Sequence, residues 1–265
     1  MAIFQNIEEF NGVDVWLQWA IFIVGVLIVL VGVFSAGVSI YLAIKYVRYN
    51  RKKNSAGITG EEAARKILDD FGLQHIKVKT SGSLLFGNSY SHYFKKVRLR
   101  RLTYKKESIS SLAMAAQKSS LAVLDKENDP DMKTRIVLTP IVIFGPYAFV
   151  PLILIGVLID ILVFNFTGLC SVIFALLGLG FYVLAFILSL KQLKTEVKAQ
   201  NRAYEILKEK NMANEEELGM MKELFKLYNI EYVNNMVLAF LEMIYRVLMI
   251  LARVQSASST SSSNN

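Results

Sequence analysis

Few residues of this chain belong to the types that carry out metal or hydrolytic chemistry. Its 265 residues include two histidines, His75 and His92, and one cysteine, Cys170. Neither H-E-x-x-H nor H-x-x-E-H occurs, so the sequence lacks the paired histidines that bind catalytic zinc from one helical turn. The lone cysteine excludes a disulfide scaffold, and within an apolar run it is interpreted as a small buried residue.

Serine and lysine offer the remaining nucleophilic chemistry. Ser110, Ser111, Ser119 and Ser120 lie in one segment with Lys118. A lysine that accepts a proton can activate a serine hydroxyl, so a serine–lysine hydrolase is one hypothesis. The same serines are small enough for close helix contacts, and the sequence identifies no oxyanion donor. A packing role is therefore the preferred interpretation.

The elements that would position these residues are dominated by apolar segments. Hydrophobic residues make up 54% of the chain and charged residues 20%, whereas soluble proteins are less apolar and more charged. Charged residues are absent from three runs: 30 residues between Asp14 and Lys45, 24 between Arg135 and Asp160, and 30 between Asp160 and Lys191. Each run exceeds the roughly twenty residues that a membrane-spanning helix needs. A soluble globular enzyme is excluded.

The distribution of basic residues predicts the orientation of these spans. Cytosolic loops of membrane proteins are enriched in lysine and arginine, and 28 of the 30 basic residues fall in two segments, 45–135 and 191–231. The same rule explains the net charge of +8 without a nucleic-acid partner. The predicted organisation is an extracytosolic N-terminus at 1–15, transmembrane helix 1 at 16–44, a cytosolic segment at 45–135, a transmembrane hairpin at 136–190 and cytosolic helices at 191–230.

The last apolar segment, 231–253, is predicted to be a fourth transmembrane helix or an interfacial helix. It contains Glu242 and Arg246, four positions apart. Isolated charges are costly inside a membrane, and a pair at this spacing that faced other helices would reduce that cost. The Ser-rich tail at 254–265 cannot bury apolar surface and is expected to be disordered.

Proline and glycine mark the hairpin. Proline removes a backbone donor and clashes with the preceding helical turn, so the second span is predicted to bend at Pro140, Pro146 or Pro151. Residues 164–168, Phe-Asn-Phe-Thr-Gly, are predicted to form the connecting turn.

Local signals in the cytosolic parts predict a small α+β segment that packs against helices. Thr59 with Glu62 and Asn214 with Glu217 have the spacing of helix capping boxes, and Gly72 is a natural helix end. The predicted elements are a helix over 60–71, strands over 75–79, 83–86 and 96–100, a helix over 107–125, and two helices over 191–228 that break near 211–214.

The same segments resemble a known family in order and with compatible spacing. Residues 54–68, NSAGITGEEAARKIL, resemble the S-G-L-T-G-x-E-x-A-R-x-I-L segment of the YugP-type membrane zinc metallopeptidases. His92-Tyr93 is set against that family's D-H-Y-D, and residues 196–203, EVKAQNRA, resemble E-F-N-A-S-R-R-A. The resemblance covers nearly the whole chain. Together with the apolar runs it predicts a mainly α membrane protein of three to four transmembrane helices with a small cytosolic, zincin-like α+β segment.

The chain departs from that family at the catalytic motif. The resemblance places Gln117 and Leu121 at the two zinc-binding histidines, and Lys118 at the glutamate that activates water. Glutamine is a poor zinc ligand, leucine is none, and a protonated lysine cannot accept a proton. Glu196 occupies the position of the third protein ligand. The expectation is therefore no zinc, no catalytic residue and a vestigial ligand position at Glu196.

A carboxylate that has lost its metal is costly to bury without a partner. We therefore hypothesise that Lys118 pairs with Glu196 near Gln117. The alternative is that both are solvated charges on helix surfaces.

The function predicted from these observations is that of an inactive membrane metallopeptidase homologue, a pseudopeptidase that binds or scaffolds membrane or cytosolic proteins. One alternative is an active membrane peptidase with atypical metal ligands or a serine–lysine nucleophile. Another is a module that binds lipid surfaces: the basic run at 98–101 and nearby tyrosines favour anionic lipid headgroups over nucleic acid. The expected location is the cell membrane, with several spans.

Overall fold

The computed structural model describes residues 12–81, 87–163 and 169–263 of this mainly α-helical membrane protein. The helices are α1 (Val15–Arg51), α2 (Gly60–Asp70), α3 (Arg101–Lys105), α4 (Ile109–Lys126), α5 (Pro130–Leu162), α6 (Leu169–Glu209) and α7 (Glu215–Ser263). The strands are β1 (Lys77–Ser81), β2 (Ser89–Ser91) and β3 (Lys96–Arg100). The described residues form two compact units, 41–229 and the outer parts of the chain, residues 12–40 with 230–263.

Three helices, α1, α6 and α7, are each long and apolar enough to cross a membrane. The bent helix α5 adds a fourth if its two halves form one span. Its halves, Pro130–Gly145 and Val150–Leu162, meet at 58°, which confirms the bend predicted from the prolines.

The outer unit is an antiparallel pair formed by α1 up to residue 40 and α7 from residue 230. Ser39 Oγ donates to Glu231 Oε1 over 2.8 Å at one end, and Gln255 Nε2 donates to Asp14 Oδ2 over 3.0 Å at the other. Residues 14 and 255 therefore lie at the same end of the pair.

Two features of α7 differ from the sequence predictions. Glu242 and Arg246 are both exposed side chains. The helix also continues through Ser263, although its serine-rich end was predicted to be disordered. Extending an existing helix fixes only one residue for each added hydrogen bond, so a polar sequence can continue a helix that it could not nucleate.

In the 41–229 unit, a three-stranded sheet in the order β1-β3-β2 packs with α2 and α4 around one apolar core. β1 runs parallel to β3, and β2 runs antiparallel to it. Val97 and Leu99 of β3 are fully buried. The sequence located β3 correctly because its alternation has the period of a strand.

The predicted helix ends in this unit are confirmed. Thr59 Oγ1 accepts from the Glu62 N–H, and the Glu62 carboxylate accepts from the Thr59 N–H. Asn214 and Glu217 make the same reciprocal pair of bonds. Gly72 has a φ of +65°, which is the left-handed conformation that glycine supplies after a helix.

Other boundaries differ from the sequence predictions. β1 begins two residues later than predicted, because Ile76 still belongs to a turn in which its N–H donates to the Leu73 carbonyl. The short helix α3 was not anticipated. The predicted strand at 83–86 and the predicted turn at 164–168 lie outside the described residues.

The helices α5 and α6 form an antiparallel hairpin. A side chain at Gly145 would meet Ala185, and one at Gly156 would meet the backbone of Cys170 and Ser171. Asp160, near the end of α5, accepts hydrogen bonds from the Cys170 and Ser171 N–H groups at the start of α6. This buried carboxylate therefore satisfies backbone donors that a helix start leaves unpaired.

The close contact between α2 and α3 gives the first prediction. An alanine Cβ at Gly60 would lie 2.0 Å from the Thr103 carbonyl oxygen. Gly60→Ala must therefore push these helices apart, and we expect it to destabilise the protein by about 1–3 kcal/mol. The apparent melting temperature of the detergent-solubilised protein measures this loss.

Gly219→Ala is the matched control. Gly219 lies inside α7, where an added Cβ would meet no heavy atom within 4 Å. Because alanine favours a helix over glycine, this variant should melt at the wild-type temperature or slightly above it. Equal melting temperatures for the two variants would contradict the packing at Gly60.

Candidate functional site

The positions predicted from the degenerate motif lie on two packed helices, α4 and α6. Gln117, Lys118 and Leu121 are on α4, and Glu196 is on the charged part of α6 that follows the apolar run at 169–190. α4 is buried over most of its length. Its start is fixed by Ser108, whose hydroxyl accepts from the Ser111 N–H. The polar groups that α4 directs at α6 must therefore find partners inside the protein.

Glu196 is the centre of the polar contacts between these helices. Lys118 Nζ lies 2.9 Å from Glu196 Oε2, and Gln117 Nε2 donates to the same oxygen over 2.8 Å. The other carboxylate oxygen, Oε1, lies 2.7 Å from a terminal nitrogen of Arg135 on α5. The structure thus confirms that Lys118 pairs with Glu196 beside Gln117, and it adds Arg135 as a second cation.

No sequence pattern indicates that Arg135 belongs to this group. Arg135 is the last charged residue before the apolar run of α5, and that position is explained by membrane topology alone. Only the packing of α5 against α6 brings its guanidinium to the carboxylate.

The ion group is mostly shielded from solvent. The exposed fractions are 12% for the Lys118 side chain, 19% for Arg135 and 21% for Glu196. Burial by itself raises the pKa of the Glu196 carboxyl, but the charges and hydrogen bonds of Lys118 and Arg135 outweigh it and hold that pKa well below its ordinary value, at about 2. Glu196 is therefore ionised throughout the physiological range and binds two cations.

Leu121, one turn after Gln117 on α4, makes apolar contacts. It is fully buried in a small apolar cluster with Leu124, Met132 and Ala199. Tyr90 of β2 and Ile136 of α5 pack against the same cluster. The second position of the degenerate motif therefore contributes to the packing between α4, α5 and α6.

The serines near Lys118 are not arranged as nucleophiles. Ser119 and Ser120 are fully buried, and their hydroxyls have no hydrogen-bond partner among the described residues. Ser110 donates to Asn50, and Ser111 donates to the Leu102 carbonyl. None of the four serines is paired with Lys118, whose ammonium is bound to Glu196.

Neither histidine is among the partners of Glu196 in the described part of the chain. His92 Nδ1 lies 2.6 Å from Asp125 Oδ2, and Tyr90 donates its hydroxyl proton to the same oxygen over 2.5 Å. Burial, together with Asp125, raises the pKa of the Tyr90 phenol. His75 is exposed in the turn before β1. Sequence reasoning did not predict the contact between His92 and Asp125.

The remaining candidate ligand, Cys170, is far from Glu196. The two residues are 26 positions apart on the continuous helix α6, so about 39 Å of helix separates them. In the described parts of the chain, no three residues among histidine, cysteine, aspartate and glutamate are grouped so that they could hold a metal ion.

Comparisons with known proteins agree on one family. The profile of a family described as "Putative neutral zinc metallopeptidase" matches residues 22–251. The "Putative membrane protease YugP" of Bacillus subtilis (strain 168) is 29% identical over 203 residues, which cover 75% of this chain and 85% of that protein. No solved structure matches significantly. The family match at residues 22–251 includes the α4 positions and Glu196.

A double-mutant cycle tests the Lys118–Glu196 pair. Glu196→Gln leaves two shielded cations unpaired, so we expect it to destabilise the protein by about 3 kcal/mol, the lower end for a broken buried ion pair. Lys118→Met should cost less because Arg135 still neutralises the carboxylate. Melting temperatures of both single variants and the double variant should be non-additive, since the two residues are in direct contact.

An exposed ion pair supplies the control, and the pH supplies a second test. Lys208 of α6 and Glu215 of α7 form an ion pair whose side chains are 56% and 72% exposed, so Lys208→Met and Glu215→Gln should be nearly silent and additive. Because the pKa of folded Glu196 is lowered, its stabilisation is complete above the ordinary carboxyl pKa of 4.5 and is lost as the pH falls toward 2. The non-additivity should fade over that range, and additive effects at pH 7 would contradict the ion pair.

Proposed function

Since this chain belongs to the neutral zinc metallopeptidase family, we propose that it is a non-catalytic member, a membrane pseudopeptidase that binds or scaffolds polypeptides without cleaving them. The observation that carries the proposal is the ion group at Glu196. The carboxylate that the family resemblance assigns to a zinc ligand is bound by two cations, Lys118 and Arg135.

The residues present do not fit a zinc ion. Catalytic zinc is held by three protein ligands, usually histidines with a carboxylate, and keeps an open position for water. Here Gln117 and Leu121 stand where the family places histidines, and Leu121 is buried among apolar side chains. A divalent cation at Glu196 would also have to displace or withstand two positive side chains at close range. These residues therefore offer no support for a catalytic step through zinc.

A serine–lysine nucleophile receives no support from the geometry. Ser119 and Ser120 are fully buried, so a polypeptide substrate cannot reach their hydroxyls. Lys118 is bound to Glu196. The alternative of an active hydrolase would need different residues from those that the sequence suggested.

The capacity to bind a polypeptide is supported by the sheet. β2 is an edge strand of the described sheet and packs beside α4. The edge of a sheet presents main-chain donors and acceptors in a row. An extended peptide can add to such an edge as a further strand. The proposed client is therefore an extended polypeptide segment near the α4–α6 face.

Zinc content and peptide turnover are the decisive measurements. We expect the detergent-purified wild-type chain to contain close to no zinc by elemental mass spectrometry, like a Glu196→Ala variant. Fluorescently labelled casein, a disordered polypeptide, should bind saturably in an anisotropy titration and remain intact on a gel. A triple variant restores the H-E-x-x-H motif: Gln117→His/Lys118→Glu/Leu121→His. Its zinc content should rise above that of the wild type.

The outcomes separate the hypotheses. One zinc per wild-type chain that Glu196→Ala removes would mean that another ligand set exists, and the non-catalytic proposal would be wrong. Cleavage of casein by the wild type but not by Ser119→Ala or Ser120→Ala would establish the serine alternative. An absence of casein binding would overturn the polypeptide-binding part alone.

We further propose that this protein resides in the cell membrane with its N-terminus outside and residues 45–135 and 191–230 in the cytosol. The basic residues around the apolar runs support this orientation. Because residues 14 and 255 lie at the same end of the α1–α7 pair, the C-terminal tail is then outside as well.

The side of the tail can be measured directly. In a Cys170→Ser background, Ser258→Cys should react with a membrane-impermeant maleimide added to intact cells, whereas Lys66→Cys should react only after the membrane is opened. The reverse pattern would invert the proposed orientation.

A further inference from the structure

The outward face of the sheet is strongly basic. The parallel register places Lys77 opposite Lys96 and Lys79 opposite Arg98. Because side chains alternate along a strand and Val97 and Leu99 point into the core, these residues share the opposite face of the sheet. The cations on this outward face are Lys77, Lys79, Lys96, Arg98 and Arg100.

These five cations lack compensating acids. Within the part of the chain that the structure describes, none of them forms an ion pair with a carboxylate. Like charges directly opposite each other destabilise a sheet. Burial lowers the pKa of Lys96, and the neighbouring charges of Arg98 and Lys79 lower it further.

Exposed aromatic side chains lie next to the basic face. The turn between β2 and β3 carries Tyr93 and Phe94, which are 68% and 69% exposed. The Lys96 ammonium lies 4.4 Å from the centre of the Phe94 ring. Aromatic rings beside cations are typical of surfaces that contact the headgroup region of a bilayer. In that region the ring itself is apolar while its surroundings are wet.

The packing of β2 places the sheet close to the start of a membrane span. Tyr90 of β2 packs against the apolar cluster at Leu121 that also contacts Ile136. Ile136 is the first residue of the charge-free run of α5. The sheet is therefore anchored beside the point where α5 changes from charged to apolar sequence, which is the level of the bilayer surface.

We propose that the outward face of the β-sheet, with Tyr93 and Phe94, binds anionic phospholipid headgroups of the bilayer that the helices span. An anionic surface within reach would relieve the repulsion among five unpaired cations, and attraction of basic residues to such a surface is a general effect. The interaction would hold the sheet, and with it the edge strand β2, at a fixed height above the membrane. It does not depend on whether the chain cleaves polypeptides.

The test uses the full chain in nanodiscs. In a Cys170→Ser background, a fluorophore on Tyr93→Cys reports contact with the bilayer through quenching by a trace of headgroup-nitroxide lipid. We compare discs of phosphatidylcholine alone with discs that also contain phosphatidylglycerol. Quenching should be at least about twofold stronger with phosphatidylglycerol at low salt and should fall to the phosphatidylcholine level at about 0.5 M salt, where charges are screened beyond a few ångströms.

Two charge-matched variants assign the effect to the sheet. Lys77→Gln/Lys79→Gln removes two exposed cations from the basic face and should abolish most of the increase. Lys66→Gln/Lys226→Gln removes two exposed lysines of α2 and α7 and should leave the increase unchanged. Arg98→Gln provides an independent variant of the same face if the β1 variant unfolds, as judged by its melting temperature.

Two results would overturn the proposal. The first is equal quenching in discs with and without phosphatidylglycerol, or equal losses in both double variants. The second is a response of the fluorophore to a single-stranded RNA oligonucleotide in phosphatidylcholine discs that Lys77→Gln/Lys79→Gln removes, with no response to phosphatidylglycerol. That result would assign the face to nucleic acid.

Discussion

The interaction on which the 41–229 unit depends is the neutralisation of one shielded carboxylate. Glu196 is held within 2.9 Å by Lys118 of α4 and Arg135 of α5, so three helices meet at a single charge. A buried carboxylate without partners would be strongly destabilising. Any arrangement of these helices that separates Glu196 from its cations is therefore disfavoured. The apolar cluster at Leu121 fixes the same three helices by packing.

This constraint links the membrane helices of the 41–229 unit to its soluble layer. α5 and α6 continue from the apolar hairpin into charged sequence, and α4 packs there with the sheet on its other side. Tyr90 joins β2 to α4, because its hydroxyl donates to Asp125 at the end of that helix. A zinc ion is not required to hold these elements together, because lysine and arginine supply the positive charge that the carboxylate needs. The packing of these three helices is thus supported by the charges of their own side chains.

The proposed roles follow from where charge is compensated and where it is not. At Glu196 the cations are satisfied internally, which favours a structural role for this carboxylate. On the outward face of the sheet the cations are left uncompensated, which favours an external anionic partner. Both surfaces belong to the same small α+β layer, one facing the helices and the other facing outward. A protein of this kind can present an edge strand to a polypeptide while its sheet rests on the membrane.

The sequence alone determined the features that depend on near neighbours in the chain. Charge-free runs predicted the apolar helices, the spacing of Thr59 with Glu62 and of Asn214 with Glu217 predicted helix starts, and alternation predicted β3. The family resemblance predicted that Lys118 pairs with Glu196. Tertiary structure decided the rest: Arg135 as a second partner of Glu196, the contact of His92 with Asp125, and the exposure of Glu242. These features depend on how the helices pack and rotate against one another. No local pattern in the sequence encodes that arrangement.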